Sequence, residues 1–525
     1  MQQLTLADIQ NFKGKYPKQI WALFFSEMWE RFCFYGMRGM LTFFMVHQLT
    51  MNEETANLQY GATQAFVYAF TFIGGLFADK ILGFRKSLFW GGLLMIAGSL
   101  ILAYDPKTYF FLGISFTVVG TGFFKPNIST MVGTLYRQGD SRRDAGFSLF
   151  YSGINIGALL GGYACVAIGK GQLFASAVPE HLRWNVAFGL AAVVMAISLI
   201  TFLFTQKSLG PIGLSPLHLP GTLTADADAR NAVAGSTSIP MRPAGRSKAW
   251  YTYAVYVGSL AVIPVIMSMV AQTDYTDWFM YIIGPCTLLY LFYEMRRYSA
   301  AEKKKLLAAL VFIVFSILFW AFFEQSGGSL SLFAAENLTN NIGGVRMDPN
   351  GVNNAANSLF VIVFAPLVGL TWLGLARKKR EPNTVVKFGL GFLFLALAFY
   401  VFYATRFFAD ANGVTSLGVF TLAYFVMTFG ELCLSPIGLS IMTRLSPKPL
   451  QGVMMGMWFL ASAYGQYVAG LLGAGLSQGS AGASPLQKLL TYTDGYRQLG
   501  VYALVAGLVL LAISPLVRKL MQDEK

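Results

Sequence analysis

Long apolar runs broken by short polar stretches set the pattern of the whole chain. The runs fall near 19–48, 55–79, 87–104, 108–136, 145–169, 184–206, 249–271, 278–295, 304–334, 353–376, 385–406, 414–444, 450–477 and 496–518. A hydrocarbon core of ~30 Å takes about 20 residues of helix. The fourteen runs therefore predict an all-α polytopic membrane protein with fourteen transmembrane helices. Several runs exceed what a bilayer needs, which permits tilt or bending.

The polar stretches between the runs differ in charge. Lys13, Lys15 and Lys18 precede the first run. Alternate connections then carry Lys80, Arg85 and Lys86; Arg137, Arg142 and Arg143; Arg242, Arg246 and Lys248; Arg296, Arg297 and Lys303 to Lys305; "RKKR" at 377–380; Arg444 and Lys448; and Arg518 and Lys519. The intervening connections, such as "MNEET", "DPK" and "QTDYTD", are poor in basic residues. Basic loops stay on the cytoplasmic side, so both termini are expected to be cytoplasmic, which an even helix count satisfies. The start of the chain is polar and shows no apolar core before a small-residue cleavage site, so the first run is expected to be a true span. Residues 208–248 change character: Pro, Gly, Ala and Ser dominate and predict a cytoplasmic linker. The resulting parse is an N-terminal six-helix bundle (1–207), the linker (208–248), an inserted pair of transmembrane helices (249–297) and a C-terminal six-helix bundle (298–525).

An internal echo supports two halves. Lys125-Pro126 and Ser435-Pro436 each put a polar residue before a proline inside a run, and each following run opens on glycine. Parallel repeats with a site at their interface are a habit of transporters, although glycine-rich helices also occur in any tightly packed bundle.

Composition agrees with a lipid environment: 55% hydrophobic and only 12% charged, with mean hydropathy +0.54, against about 25% charged in soluble chains. The net charge of +14 does not point to nucleic acid, because the basic residues sit in loops and no basic face is interleaved with stacking aromatics. The four cysteines, Cys33, Cys165, Cys286 and Cys433, lie within apolar runs at unrelated spacings. They predict buried thiols rather than disulfides or metal ligands.

The exception to apolarity is "SEMWERFCFYGMR" in the first run. On a helix, Glu27, Glu30, Arg31, Tyr35 and Arg38 fall at about 0°, 300°, 40°, 80° and 20°, one face about 140° wide. An ionisable group at the bilayer centre costs about 2.5–3.5 kcal/mol on insertion scales, so this face is expected to line a bundle interior or a water-filled cavity. A self-satisfied ion pair is the plainer reading. Against it, Lys125, Glu324 and Glu431 are also deep in apolar runs, making four acids (Glu27, Glu30, Glu324, Glu431) to three bases (Arg31, Arg38, Lys125). A carboxylate without a cation in low dielectric takes up a proton near neutral pH, which a proton-coupled machine requires. His47, His181 and His218 are at run ends or in loops. Pro126 frees a backbone carbonyl beside Lys125 and marks either a cavity wall or a packing kink. Asn127, Asn155 and Asn357 read as ligands or as helix-to-helix hydrogen bonds. Tyr68, Trp320 and Trp458 read as pocket lining or as packing.

These segments resemble the proton-coupled oligopeptide transporter family of the major facilitator superfamily. "ExxERFxFYG" (Glu27 to Gly36) is similar to its first-helix signature. "GGLFADKILGFRK" (Gly75, Asp79, Gly83, Arg85) resembles the superfamily's cytoplasmic loop motif. "GTGFFKPNIS", "FSLFYSGINIGALLG" and "GELCLSPIGLS" resemble the fourth, fifth and tenth helix signatures, and 249–295 resembles the two extra helices of bacterial members. The resemblance implies the superfamily fold, two six-helix bundles plus the inserted pair, in a bacterial cytoplasmic (inner) membrane. It implies that Arg31 and Lys125 hold a peptide carboxylate, that Glu431 takes the amino terminus with Asn155 and Asn357, and that Tyr35, Tyr68, Trp320, Trp458 and Ser462 line the pocket. It further implies that Glu27, Glu30 and Glu324 are proton-linked and that Arg38 meets Glu324 at an extracellular gate. Phe34, Phe323 and Ser358 depart from residues common in relatives, which bears on subsite shape.

The expected function is inward symport of protons with di- and tripeptides by alternating access, with peptide-like drugs as further substrates. The proton is the coupling ion, and no other cofactor is expected. The alternatives are a carrier of another small solute such as nitrate, disfavoured by the lack of histidine in the seventh span, and a peptide sensor without flux. An intramembrane enzyme is disfavoured because no HExxH pattern or Ser/His pair is visible, so no catalytic or metal-binding residue is expected.

Overall fold

The computed structural model describes residues 4–137, 140, 142–215, 250–434, 438–447, 450–478 and 482–522. Most of the linker, from residue 216 on, lies outside the described residues, as do the Ser435-Pro436 pair and Lys448. One long helix overlaps each predicted run: α1 (Gln19–His47), α2 (Glu53–Phe77), α3 (Phe84–Tyr104), α4 (Phe110–Thr134), α5 (Arg143–Gly169), α6 (Arg183–Thr205), α7 (Trp250–Ala271), α8 (Thr273–Met295), α9 (Ala300–Phe323), α10 (Pro349–Arg377), α11 (Thr384–Ala404), α12 (Leu417–Leu434), α13 (Gln451–Leu476) and α14 (Pro485–Met521), the last beginning eleven residues before its run. Among the described residues, ten helical stretches meet the length and apolarity needed to cross a membrane. The charged α1 is not among them: its acids and arginines lower the apolarity of the stretch, and Glu27, Glu30 and Arg31 are buried in the protein.

Two compact units divide the chain. The first comprises Met1–Arg38 and Phe66–Ala271, the second Gly39–Ala65 and Gln272–Lys525. The division falls inside α1 and α2, and between α7 and α8.

In the first unit α1 lies against α5 along a stripe of small residues. Added Cβ atoms on Gly153, Gly157 and Gly161 would stand 2.8 Å from the Phe24 ring, 2.0 Å from the Met28 carbonyl oxygen and 2.1 Å from the Phe32 carbonyl oxygen, and one on Gly36 would stand 2.6 Å from Cys165 Sγ. Both helices advance four residues per contact, the small-xxx-small arrangement that lets backbones approach. The same contact brings the base of Arg31 against α5, its Cβ 3.0 Å from one added at Gly157. Gly157→Ala is therefore expected to cost about 1–3 kcal/mol or more through overpacking. Thermal melting in detergent should fall for Gly157→Ala and barely move for Gly475→Ala, where nothing lies within 4 Å of the new Cβ.

Pro126 does not break α4. The carbonyl it frees belongs to Gly122, and a Cβ on Gly74 of α2 would sit 2.1 Å from that oxygen. The proline is thus matched by a glycine on the neighbouring helix. In the same unit, the indole of Trp90 on α3 donates to Ser259 Oγ of α7 at 2.9 Å.

In the second unit α8 is tied to α13: Tyr467 donates its hydroxyl to Asp277 at 2.6 Å and Tyr464 donates to the Met280 carbonyl. The Gly39–Ala65 segment is held here too. Lys488 bridges Glu53 at 2.6 Å and Glu336 at 2.7 Å, and Asn57 donates to Ser477 at 3.0 Å.

The 304–334 run is not one helix. α9 ends at Phe323, a tight turn spans Glu324–Gly327, and a short helix covers Ser329–Asn337. Gly327 permits the break, since a Cβ there would lie 1.9 Å from the Tyr60 hydroxyl. A small hairpin follows, β1 (Asn341–Ile342) against β2 (Val345–Arg346). Its turn residues Gly343 and Gly344 have φ of +58° and +89°, the conformation that Gly-Gly supplies without strain.

Candidate functional site

In the first unit, Arg31 stands between the two acids of α1. Its NH2 group donates to Glu30 Oε1 at 2.6 Å, and its Nε donates to Glu30 Oε2 and lies 3.3 Å from Glu27 Oε1. All three side chains are buried. Burial of a charged group requires pairing, and the forked guanidinium supplies it to Glu30 in a bidentate way. Glu27 receives less: among the described residues its Oε2 has no hydrogen-bond partner. Two carboxylates thus share one guanidinium. The Arg31 guanidinium also lies 5.0 Å from the Phe34 ring centroid.

Lys125, half-buried on α4, places Nζ 4.4 Å from the Tyr68 ring centroid and is within electrostatic reach of Glu27 and Glu30. Arg38 lies 5.6 Å from the Tyr35 ring centroid. The structure therefore brings Glu27, Glu30, Arg31 and Lys125 into one charged group, and sets a tyrosine beside each of Lys125 and Arg38. Asn155 is buried on α5 and donates to the Tyr151 carbonyl of its own helix at 2.9 Å. Asn127 donates to Ser87 at 2.8 Å and to its own helix, so it joins α4 to α3 as helix-to-helix bonding would.

The loop motif is a clamp on the chain that leaves α6. Gly83 has φ +77°, and a Cβ there would lie 2.4 Å from the Ser215 nitrogen. Arg85 donates to the carbonyls of Ile212 at 2.7 Å and Gly210 at 2.6 Å. Asp79 lies in the wider turn Ala78–Leu82 that ends α2. Gly75 is in ordinary contact with Pro126, whereas its neighbour Gly74 makes the close approach. On the same side of the first unit, Arg142 donates to both carboxylate oxygens of Asp140 and to the carbonyls of Phe12 and Gly14. That guanidinium holds the Asp140 carboxyl down at about 2.

In the second unit, Asn357 of α10 donates to Glu431 Oε2 of α12 at 2.9 Å. The amide orients one carboxylate oxygen. Trp458 is buried against Gly438, where a Cβ would be 2.1 Å from the indole. Ser462 donates to the Trp458 carbonyl one turn back at 3.3 Å. Trp320 stacks edge-on against Phe319 and Phe323 at 5.5 and 5.4 Å. Glu324 is buried at the head of the turn that ends α9.

Sequence reasoning missed Asn353 and Tyr424, which join at 2.6 Å. The signal was the "NNAANS" spacing, which places Asn353 and Asn357 one turn apart on α10.

The chain is similar to known proteins along nearly its whole length. A sequence model of the POT family matches residues 85–484. The peptide transporter YePEPT of Yersinia enterocolitica is 32% identical, over 97% of this chain and 96% of the relative. The dipeptide and tripeptide permease B of Aeromonas hydrophila is 28% identical, over 96% and 94%. Among solved structures, a variant of a peptide transporter POT in complex with alafosfalin has TM-score 0.78 and 31% identity, covering 99% of this chain and all of that one. A POT family transporter in complex with 5-aminolevulinic acid has TM-score 0.76 and 27% identity, covering 98% and 100%. With the family's signatures spread from α1 to α12 and its fold matched end to end, this chain belongs to the POT family.

Proposed function

We propose that this protein is a proton-coupled symporter that imports di- and tripeptides by alternating access. We place it in a bacterial cytoplasmic membrane, with both termini cytoplasmic. The observation that carries the reading is the charged group of Glu27, Glu30, Arg31 and Lys125, in which the first three are buried. A proton on either carboxylate of the triad balances it and loosens the grip on Arg31. A cation released in this way is available to a peptide carboxylate, and Lys125 is a second. In the other unit Glu431, oriented by Asn357, suits an ammonium group. The ends of a zwitterionic peptide are common to all short peptides, so this recognition need not read sequence. Adaptable pockets then accept many side chains, with Tyr35, Tyr68, Trp320, Trp458 and Ser462 as lining and Asn155 as a further amide for the amino terminus. Arg38 and Glu324 are the proposed extracellular gate.

The names of the relatives support peptide as the substrate. Alafosfalin and 5-aminolevulinic acid, bound by two structural neighbours, support tolerance of peptide-like compounds. No enzymatic step enters this reading, and the proton is the only coupling ion.

Purified protein in liposomes should accumulate labelled dipeptide when the outside is more acidic than the lumen, and a protonophore should abolish the accumulation. Tripeptides should compete and single amino acids should not. Binding without flux would make the protein a sensor; gradient-driven accumulation of nitrate in place of peptide would make it a carrier of another solute.

A further inference from the structure

The turn Glu324–Gly327 is a break in a buried helix, and such breaks leave backbone carbonyls that need partners. Three consecutive residues of this turn reach three different helices of the second unit. Gln325 donates its side-chain amide to the Ala469 carbonyl of α13 at 3.0 Å. The Ser326 carbonyl accepts from the Asn353 amide of α10 at 2.7 Å. The Gly327 carbonyl accepts from the Thr42 hydroxyl of the Gly39–Ala65 segment. Glu324 heads this turn, so any change in its position reaches all three helices.

The Asn353 branch goes further than the others. While its nitrogen holds the turn, its Oδ1 accepts from the Tyr424 hydroxyl of α12 at 2.6 Å. One turn along α10, Asn357 donates to Glu431 at 2.9 Å. Tyr424 and Glu431 are seven residues apart on α12, two turns on one face. The two helices are therefore joined at two levels, by Asn353–Tyr424 and by Asn357–Glu431. Asn353 and Tyr424 are both buried, 1% exposed, so these hydrogen bonds have no water to replace them and a lost partner is costly.

We infer that Asn353 and Tyr424 are positioning residues that couple the turn bearing Glu324 to the carboxylate of Glu431. This inference rests on the reading of Glu324 as proton-linked and of Glu431 as the partner of the peptide amino terminus. Movement of the turn pulls Asn353, and the Tyr424 rung sets the spacing of α10 and α12 at which Asn357 meets Glu431. Neither residue touches peptide or proton.

A double-mutant cycle on the full-length transporter tests it. Dipeptide Kd is measured for the wild type, Glu324→Gln, Tyr424→Phe and the double variant. Tyr424→Phe keeps the ring that packs on Phe402 and Phe420 at 5.5 Å each and removes only the hydroxyl. Coupling between sites is typically worth about 5–150-fold. Glu324→Gln is expected to change Kd about tenfold in the wild type and less than about twofold in the Tyr424→Phe background, the signature of a shared network. Asn353→Leu should behave as Tyr424→Phe does; if it fails to fold, the Tyr424→Phe cycle decides alone. An equal effect of Glu324→Gln in both backgrounds overturns the coupling, while loss of proton-driven uptake in Glu324→Gln and Glu431→Gln keeps the functional reading intact. If those two single variants bind and transport as the wild type does, the functional reading fails first and the coupling with it.

Discussion

Glu30→Gln is expected to abolish proton-driven peptide accumulation, by about 100-fold or more, while counterflow exchange of peptide for peptide stays within about threefold. The argument begins with the charge count. Glu27, Glu30 and Arg31 carry one net negative charge when both acids are ionised, in a buried triad. A proton brings the triad to neutrality and releases one acceptor of the bidentate pair. Glutamine at 30 copies the neutral state permanently and cannot return. Exchange needs only that the loaded carrier move back and forth, which the neutral state allows. Net uptake needs the proton to leave inside and the empty carrier to return. Moving a two-state carrier from mostly one side to mostly the other takes about 5 kcal/mol of differential affinity, and about 3 kcal/mol of that lost is already a 100-fold effect. The magnitude is within reach of one buried ion pair, where removing a partner costs about 3–5 kcal/mol. Liposome uptake under an imposed pH gradient, set beside counterflow in the same preparation, measures both. Undiminished gradient-driven accumulation by Glu30→Gln removes Glu30 from the coupling. Glu27→Gln is the informative companion, because Glu27 makes the longer contact to Arg31 at 3.3 Å.

The charged face of α1 was legible because lipid makes every buried charge conspicuous. A helical wheel placed Glu27 and Arg31 one turn apart, where they do meet. It did not reveal that the forked pair would form with Glu30, the adjacent residue, since that depends on side-chain paths that a wheel does not carry. Helix positions were legible for the same reason as the charges: apolar length is a strong signal. The break at Glu324 was not, because "FFEQSGGSLSLFAA" stays apolar enough on average to pass as one span. Its glycines admit the turn, but the Tyr60 hydroxyl that makes glycine necessary at 327 comes from far along the chain. The hairpin 341–346 follows the same rule in reverse. "NIGGVR" carries a turn signal that a search for apolar runs passes over. The close approach of α5 to α1 was visible as glycine content and not as partners. Amides were the least legible group. Asn127, Asn155, Asn353 and Asn357 look alike in sequence, yet one joins two helices, one stays within its own helix, and two form rungs to α12. Which of these an asparagine does depends on what the neighbouring helix offers at that height, which is tertiary information.

Lys125→Ala is expected to lower peptide uptake at sub-saturating concentration by about 100-fold or more. More tellingly, it should erase the preference for a free carboxylate over a carboxamide at the peptide's C-terminus. Lys125 is half-buried beside the Tyr68 ring, and a cation held over an aromatic face keeps much of its charge available to a second partner. Truncating one member of a buried charge pair costs about 2–5 kcal/mol, or roughly 30-fold to several thousand-fold. Lys125 also neutralises part of the negative field of Glu27 and Glu30, so its loss acts twice: the carboxylate anchor goes, and the site that remains repels an anion. The amide comparison separates these effects from misfolding. A damaged fold weakens both ligands alike, whereas loss of the anchor weakens only the free acid. Lys125→Arg should recover part of the preference, since the charge returns on a longer, planar group that cannot take the same point position. Binding of matched dipeptide acid and dipeptide amide to wild type, Lys125→Ala and Lys125→Arg gives the ratios directly. A wild-type preference that survives Lys125→Ala would place the anchor on Arg31 alone. In that case, Arg31 must leave Glu30 entirely before peptide can bind, and affinity should then track the protonation of the triad more steeply than two cations sharing the carboxylate would allow.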